Sequence, residues 1–269
     1  MKLFENCKVA VCLSGQSRTY KYCHESIKEY FSGRNGNKYY FFGHTWDDNT
    51  YKVRTENQVV VQEEKINSLL LYNNLRECYP FESFEIEKST YRPYSWASML
   101  YSIMKVNFQK QMWEVKNNSM FDLVIRCRYD ICFPSGKKFE DDFCQPIEEK
   151  SLYSYYGFMN NEFSLPNPDD VIYSGTSHTM DLIDTLYNAI STGSFQKIMQ
   201  VDNRNPSYNR VGPGILIHKW ATLKNILPKH IIIPYMVYRL AHSESTIDWR
   251  VDWQKAVNIG SIYENRSML

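Results

Sequence analysis

The feature that most constrains this chain is its opening, a short apolar run Val9-Ala10-Val11-Cys12-Leu13 stopped by Ser14-Gly15. A continuous run of strand length reads as a strand buried on both faces, as in a parallel sheet. Thr19 to Phe31 fits a helix, and Lys38 to Gly43 (KYYFFG) is a second strand ending in the polar turn His44-Thr45-Trp46-Asp47-Asp48-Asn49. Strand, helix and strand within about 40 residues is the βαβ rhythm of an α/β fold.

The pattern continues along the chain. A helix is expected from near Val61 to Cys78, with Ile66, Leu69 and Leu70 on one face, then a weaker strand over Phe81–Glu87. The strongest helix runs from about Ser95 to Val115, where Trp96, Met99, Leu100, Ile103, Met104, Phe108, Met112 and Val115 recur at three- and four-residue steps as a core face. Phe121–Asp130 (FDLVIRCRYD), Ser151–Tyr156 and Asp170–Tyr173 supply further strands. Ser174-Gly175-Thr176-Ser177 is a turn and cap into a helix reaching about Ile190. Ser191–Arg210 reads as loop, Ile215–Ile226 as a helix and His230–Tyr238 as a late strand. No repeat or linker divides the 269 residues, so one domain over 1–269 is expected.

Composition narrows the function classes. Lys and Arg number 31 against 30 acidic residues, so nothing electrostatic points to a nucleic-acid partner. No segment approaches the roughly 18 apolar residues of a membrane span, and Met1–Lys8 is too short and polar for a secretory signal, so a cytoplasmic protein is expected. The seven cysteines are odd in number and include no CxxC pair, which favours reduced thiols over disulfides or zinc.

Four places offer chemistry. In FDLVIRCRYD three apolar residues lead straight into charge, and a continuing strand would put Arg126, Arg128 and Asp130 on one side at its C-terminal end. Ligands of open α/β sheets bind at that edge. Two guanidiniums suit a diphosphate, and a carboxylate suits a divalent cation or a ribose hydroxyl; the alternative is a structural Arg–Asp pair. The turn Ser14-Gly15-Gln16-Ser17-Arg18 lies between the first strand and a helix, where an anion is favoured. It is neither G-x-G-x-x-G nor a P-loop. His44 and Trp46 would lie on the same edge, His44 or Asp47 for a ribose and Trp46 for stacking, or else as structural residues. Asp169-Asp170 is either a carboxylate pair for proton transfer or a turn.

The order VAVCLSGQSRTY, FFGHTW, the Ser95–Val115 helix, FDLVIRCRYD and DDVIYSGTSHTMD resembles GT-A-like glycosyltransferases of viruses, phages and bacteria that build surface glycans. The resemblance covers residues 8–190. It implies a Rossmann-like GT-A three-layer sandwich with a mainly parallel central sheet, about 1–130 forming the nucleotide-donor half and about 131–269 the acceptor half. It further implies a nucleotide-sugar donor and a glycan or other hydroxyl acceptor. Carried over, Gly15 and Arg18 fall in the first donor turn beside Ser14, with Arg128 next to the donor carboxylate; His44, Trp46 and Arg126 join the donor-binding candidates on their own placement. Asp130 stands for the carboxylate that holds a divalent metal (Mn or Mg) or the donor itself. Arg128 occupies the first acidic place of the family's D-x-D, where it could neutralise the leaving diphosphate without a cation. Asp170 is the candidate general base for an inverting transfer. A sulfotransferase-like enzyme and a non-catalytic carbohydrate-binding protein are the rival readings.

Overall fold

The computed structural model describes residues 3–54, 59–93, 96–156, 171–194, 213–233 and 235–237. The first strand, β1 (Lys8–Ser14), is followed by α1 (Tyr20–Tyr30) and β2 (Lys38–Trp46). A hairpin of β3 (Asp48–Arg54) and β4 (Val59–Lys65), helix α2 (Ser68–Cys78) and β5 (Phe81–Glu87) come next. The long α3 (Trp96–Asn117) then returns the chain to β6 (Leu123–Cys127), β7 (Ile131–Cys132) and α4 (Phe139–Asp142). Strands β8 (Ser151–Tyr156) and β9 (Ile172–Gly175), helices α5 (Ser177–Ser191) and α6 (Pro213–Leu223), and strands β10 (Leu227–Ile232) and β11 (Met236–Val237) follow among the described residues.

Seven strands form one sheet in the order β10-β8-β9-β6-β1-β2-β5. The β1, β2, β5 and β6 pairings and the β8–β10 pairing are parallel, while β9 runs against both its neighbours. Alternation along β1 sends Val9, Val11 and Leu13 to a core shared with α1 and α2, and Ala10 and Cys12 to a second core shared with α3, α5 and α6. Helices on both faces of a mostly parallel sheet make this a Rossmann-like three-layer α/β sandwich. No helix among the described residues is long and apolar enough to cross a membrane.

Three expectations are corrected. The segment from Val59 to Lys65 is a strand, as its Val-Val-Val run of β-branched residues favours, and α2 starts only at Ser68. Asn67 caps it by accepting from the Leu69 and Leu70 N–H groups, and Leu71 and Leu75 are buried where Leu69 and Leu70 stand exposed. Strand β2 runs on through His44–Trp46, and β3 begins at Asp48, so no polar turn spans 44–49.

The third correction is the buried face of α3. Leu100 and Ile103 are buried as expected, but Phe108, Met112 and Val115 are exposed. Val106, Asn107, Lys110 and Glu114 take the inner side instead. Lys110 is 0% exposed because Ser177 at 2.5 Å, Asp181 at 2.8 Å and Glu114 at 2.9 Å satisfy its ammonium. A buried polar row whose charges are paired breaks the apolar pattern from which the face was read.

Candidate active site

The strand order marks a candidate crevice. From β1 the chain leaves toward β2, and only after β5 and α3 does it return to place β6 on the other side of β1. The C-terminal ends of β1 and β6 are therefore the topological switch point, where ligands of open α/β sheets bind.

The β1 side is built from the turn after Ser14. Gly15 has φ of +110°, a backbone open chiefly to glycine, and a Cβ added there would meet nothing within 4 Å. Its N–H donates to Ser102 Oγ at 2.8 Å, which ties the turn to α3. Arg18 sits at φ of +38°, uncommon for a residue with a side chain. Gln16 Oε1 accepts from Arg18 Nε at 3.0 Å and Nη2 at 2.7 Å, aiming Nη1 at Asp130 across the crevice. Thr19, the N-cap of α1, makes no side-chain cap bond, and the Tyr20 and Tyr22 N–H groups donate to the Ser17 and Thr19 carbonyls at 2.9 Å.

The β6 side departs from the expected row of three. Strand pairing with β1 stops at Leu13–Cys127, so Arg126 alone keeps its place in the sheet and Arg128 and Asp130 belong to the turn beyond. Arg126 is 1% exposed; its Nε donates to Ser14 Oγ at 3.0 Å and its Nη1 to the Val171 carbonyl at 3.1 Å, with the Tyr173 ring 5.7 Å from its guanidinium carbon. It binds β1, β6 and the start of β9 together beneath the crevice. Arg128 turns back on Asp130, Nε to Oδ1 at 2.7 Å and Nη2 to Oδ2 at 2.5 Å, and Arg18 Nη1 reaches Oδ2 at 3.5 Å. Tyr129, between them, is buried in the opposite direction, edge-on to Tyr79.

His44 and Trp46 lie behind this pair. His44 is fully buried, with Nδ1 2.7 Å from Ser102 Oγ and Nε2 3.8 Å from Glu87 Oε1. Trp46 is 1% exposed, stacked on Tyr101 and edge-on to His44. Its faces are covered, which corrects the expectation of an open stacking platform. Asp47 Oδ1 accepts from the Ser89 N–H at 2.7 Å and so shapes the turn after β5. His44 above all, then the Lys105 ammonium at 2.7 Å and the Tyr101 hydroxyl at 3.0 Å, hold the Glu87 carboxyl down to about 2 against its partial burial.

Asp170, with Asp169, lies outside the described residues. The structure adds Ser102, Glu87, Tyr101 and Tyr173, and gives Gln16 of the first turn the task of orienting Arg18. It also adds Asp184 of α5, whose buried carboxyl is pushed well above the usual range by desolvation and by nearby Asp181, against the opposing pull of Lys110 and Arg126. Ser102 and Tyr101 carry a faint signal as polar positions within the apolar first half of α3.

The donor set does not fit a divalent cation at Asp130. Both its oxygens are engaged by Arg128, and two guanidiniums lie within 3.5 Å of it. Among the described residues no group of three or more His, Cys, Asp or Glu is placed to hold a metal. A Mn or Mg ion there would meet fixed positive charge with a single carboxylate to bind it.

No family model matches the sequence, and no curated protein matches it. Among solved structures, the chain is similar to the crystal structure of a glycosyltransferase involved in the glycosylation of the major capsid of PBCV-1. The two are 9% identical over 85% of this chain and 82% of that chain, with a TM-score of 0.39.

Proposed function

We propose that this chain is a nucleotide-sugar glycosyltransferase of the GT-A type, with the donor diphosphate in the β1–β6 crevice between Arg18 and Arg128. The observation that carries the reading is the convergence of these two guanidiniums at the switch point, beside a glycine turn open on its outer side. Residues 1–130 form the donor half on this reading, and the chain beyond them faces the acceptor. The acceptor hydroxyl oxygen attacks the anomeric carbon while the bond from that carbon to the diphosphate oxygen breaks. Negative charge grows on the leaving diphosphate, and planar, permanently charged guanidiniums stabilise it there. The acceptor proton passes to a general base; in an inverting transfer Asp170 takes that role, one residue before the Val171 whose carbonyl Arg126 holds. No step requires a metal.

The test is a thermal-shift screen against nucleoside diphosphates and nucleotide sugars, with Mn²⁺, with Mg²⁺ and with chelator, since a ligand of the native state raises its melting temperature. A rise with one nucleoside diphosphate, lost in Arg128→Ala, supports the reading and identifies the base. A rise with adenosine bisphosphate alone moves the assignment to a sulfotransferase-like enzyme, and a rise with glycans alone to a carbohydrate-binding protein.

A further inference from the structure

Cys23 and Cys132 come from separate parts of the chain, one from α1 and the other from β7, yet their Sγ atoms lie 3.3 Å apart. The two elements pack directly, with the Phe133 N–H donating to Ser26 Oγ at 3.3 Å in the next turn of α1. Cys23 is fully buried and Cys132 is partly exposed, so a small oxidant reaches the pair through Cys132. The position matters as much as the distance. Cys23 lies one turn into the helix that follows Arg18, and Cys132 lies two residues beyond Asp130. The thiols thus join the two walls of the crevice at their roots.

We propose that Cys23 and Cys132 are a modification site, a dithiol that a low-molecular-weight disulfide such as oxidised glutathione converts to an intramolecular disulfide, narrowing the crevice between Arg18 and Asp130. Cys132 as thiolate attacks one glutathione sulfur, forming a mixed disulfide and releasing one glutathione thiolate. Cys23 then gives up its proton and attacks Cys132 Sγ, expelling the second glutathione. The two cysteines are oxidised together and one oxidised glutathione is reduced to two thiols, which carry away both protons. A disulfide needs sulfurs about 2.05 Å apart, so closing brings the two Sγ atoms together by roughly 1 Å and pulls α1 and β7 on each other. Arg18 and Asp130 lie in the turns that lead into those elements, 3.5 Å from one another, and tightening their contact takes Arg18 away from an anionic ligand. This second consequence rests on the proposed donor site; the cross-link itself does not.

The experiment treats the full chain with excess oxidised glutathione, blocks remaining thiols, and maps linked peptides by mass before and after reduction. A Cys23–Cys132 link that disappears on reduction and is missing from Cys132→Ser is the expected result, with exposed Cys144 carrying at most a mixed disulfide. Nucleoside diphosphate affinity is measured on the same samples. Oxidation should weaken it several-fold, dithiothreitol should restore it, and Cys132→Ser and Cys23→Ala should both be indifferent to the oxidant. Finding both thiols still open to alkylation after treatment overturns the dithiol. A complete link with unchanged affinity overturns its control of the crevice. If the reduced protein binds no nucleoside diphosphate, the donor assignment fails, while the peptide map still decides whether the link forms.

Discussion

Arg128 grips Asp130 through two parallel bonds, at 2.7 and 2.5 Å, on a carboxylate that is 1% exposed. A buried ion pair is costly to break from one side, because the remaining charge keeps its desolvation penalty. Arg128→Ala should therefore lower unfolding free energy by about 3 kcal/mol. It should also weaken nucleoside diphosphate binding roughly tenfold or more, the weight of a charged hydrogen-bonded contact. Arg128→Lys keeps the charge and loses the fork, so it should recover little of the binding. Urea unfolding and titration calorimetry separate the two effects.

Asp130→Asn asks a different question of the same pair. The amide is nearly isosteric but cannot anchor two guanidiniums, so Arg18 and Arg128 lose the group that aims them, and binding should fall. Chelator should leave donor binding by the parent protein unchanged, because the carboxylate is already occupied by arginine. Binding that needs added Mn²⁺ or Mg²⁺ would falsify that assignment.

Gly15 tests how closely a ligand approaches the first turn. An added methyl meets no protein atom, so steric clash does not complicate the result, but φ of +110° is strained for any side chain. Gly15→Ala should cost about 1–2 kcal/mol in stability. If the diphosphate lies over this turn, the methyl should also reduce affinity by more than the small population unfolded can explain. Equal affinity in a folded Gly15→Ala protein would move the ligand away from the turn.

Much of this was legible in the sequence because local signals and tertiary demands agree. The Val9–Leu13 run, KYYFFG and LVIRC are strands that a sheet covered on both sides requires, and Thr176 caps α5 with the turn chemistry its sequence carries. Reading failed where a distant partner changes what a residue can tolerate. Nothing near Lys110 in the sequence announces Ser177 or Asp181, so a lysine in the core looks like an outward face. Likewise Arg126 and Arg128 look equivalent in LVIRCRYD, and only the end of the ladder at Cys127 separates a structural arginine from one at the crevice. Trp46 looks available until Tyr101, 55 positions later, covers it.

The Lys110 cluster makes its own prediction. Lys110→Met keeps the length and volume but strands Glu114 and Asp181 against each other with no cation between them. The expected loss is about 3 kcal/mol, the range for removing one partner of a buried pair. Lys110→Met with Glu114→Gln and Asp181→Asn should regain a large part of it, because the uncompensated charge is then gone. Chemical denaturation of the single and triple variants measures the difference; equal stabilities would mean that the network contributes by packing alone.

His218 of α6 lies 2.7 Å from Ser154 Oγ and stacks parallel to His230, with ring centroids 5.8 Å apart. Burial, with the neighbouring His230 charge, holds His218 down to about 4 from an ordinary value of 6.5. The unfolded chain protonates this ring near pH 6.5, whereas the native protein resists until about pH 4. Between those values the unfolded state binds more protons, so stability must fall as pH falls through that window. Above pH 6.5 the contribution is intact, and below about 4 nothing further is lost. The size is on the order of 2–3 kcal/mol, reduced toward the lower figure because the ring is only partly buried. His218→Gln keeps a polar partner for Ser154 and does not titrate, so urea midpoints for that variant should vary less between pH 7 and 4. If parent and variant lose stability with the same slope, acid acts elsewhere, and Glu87, held near 2, would account only for losses below pH 4.5.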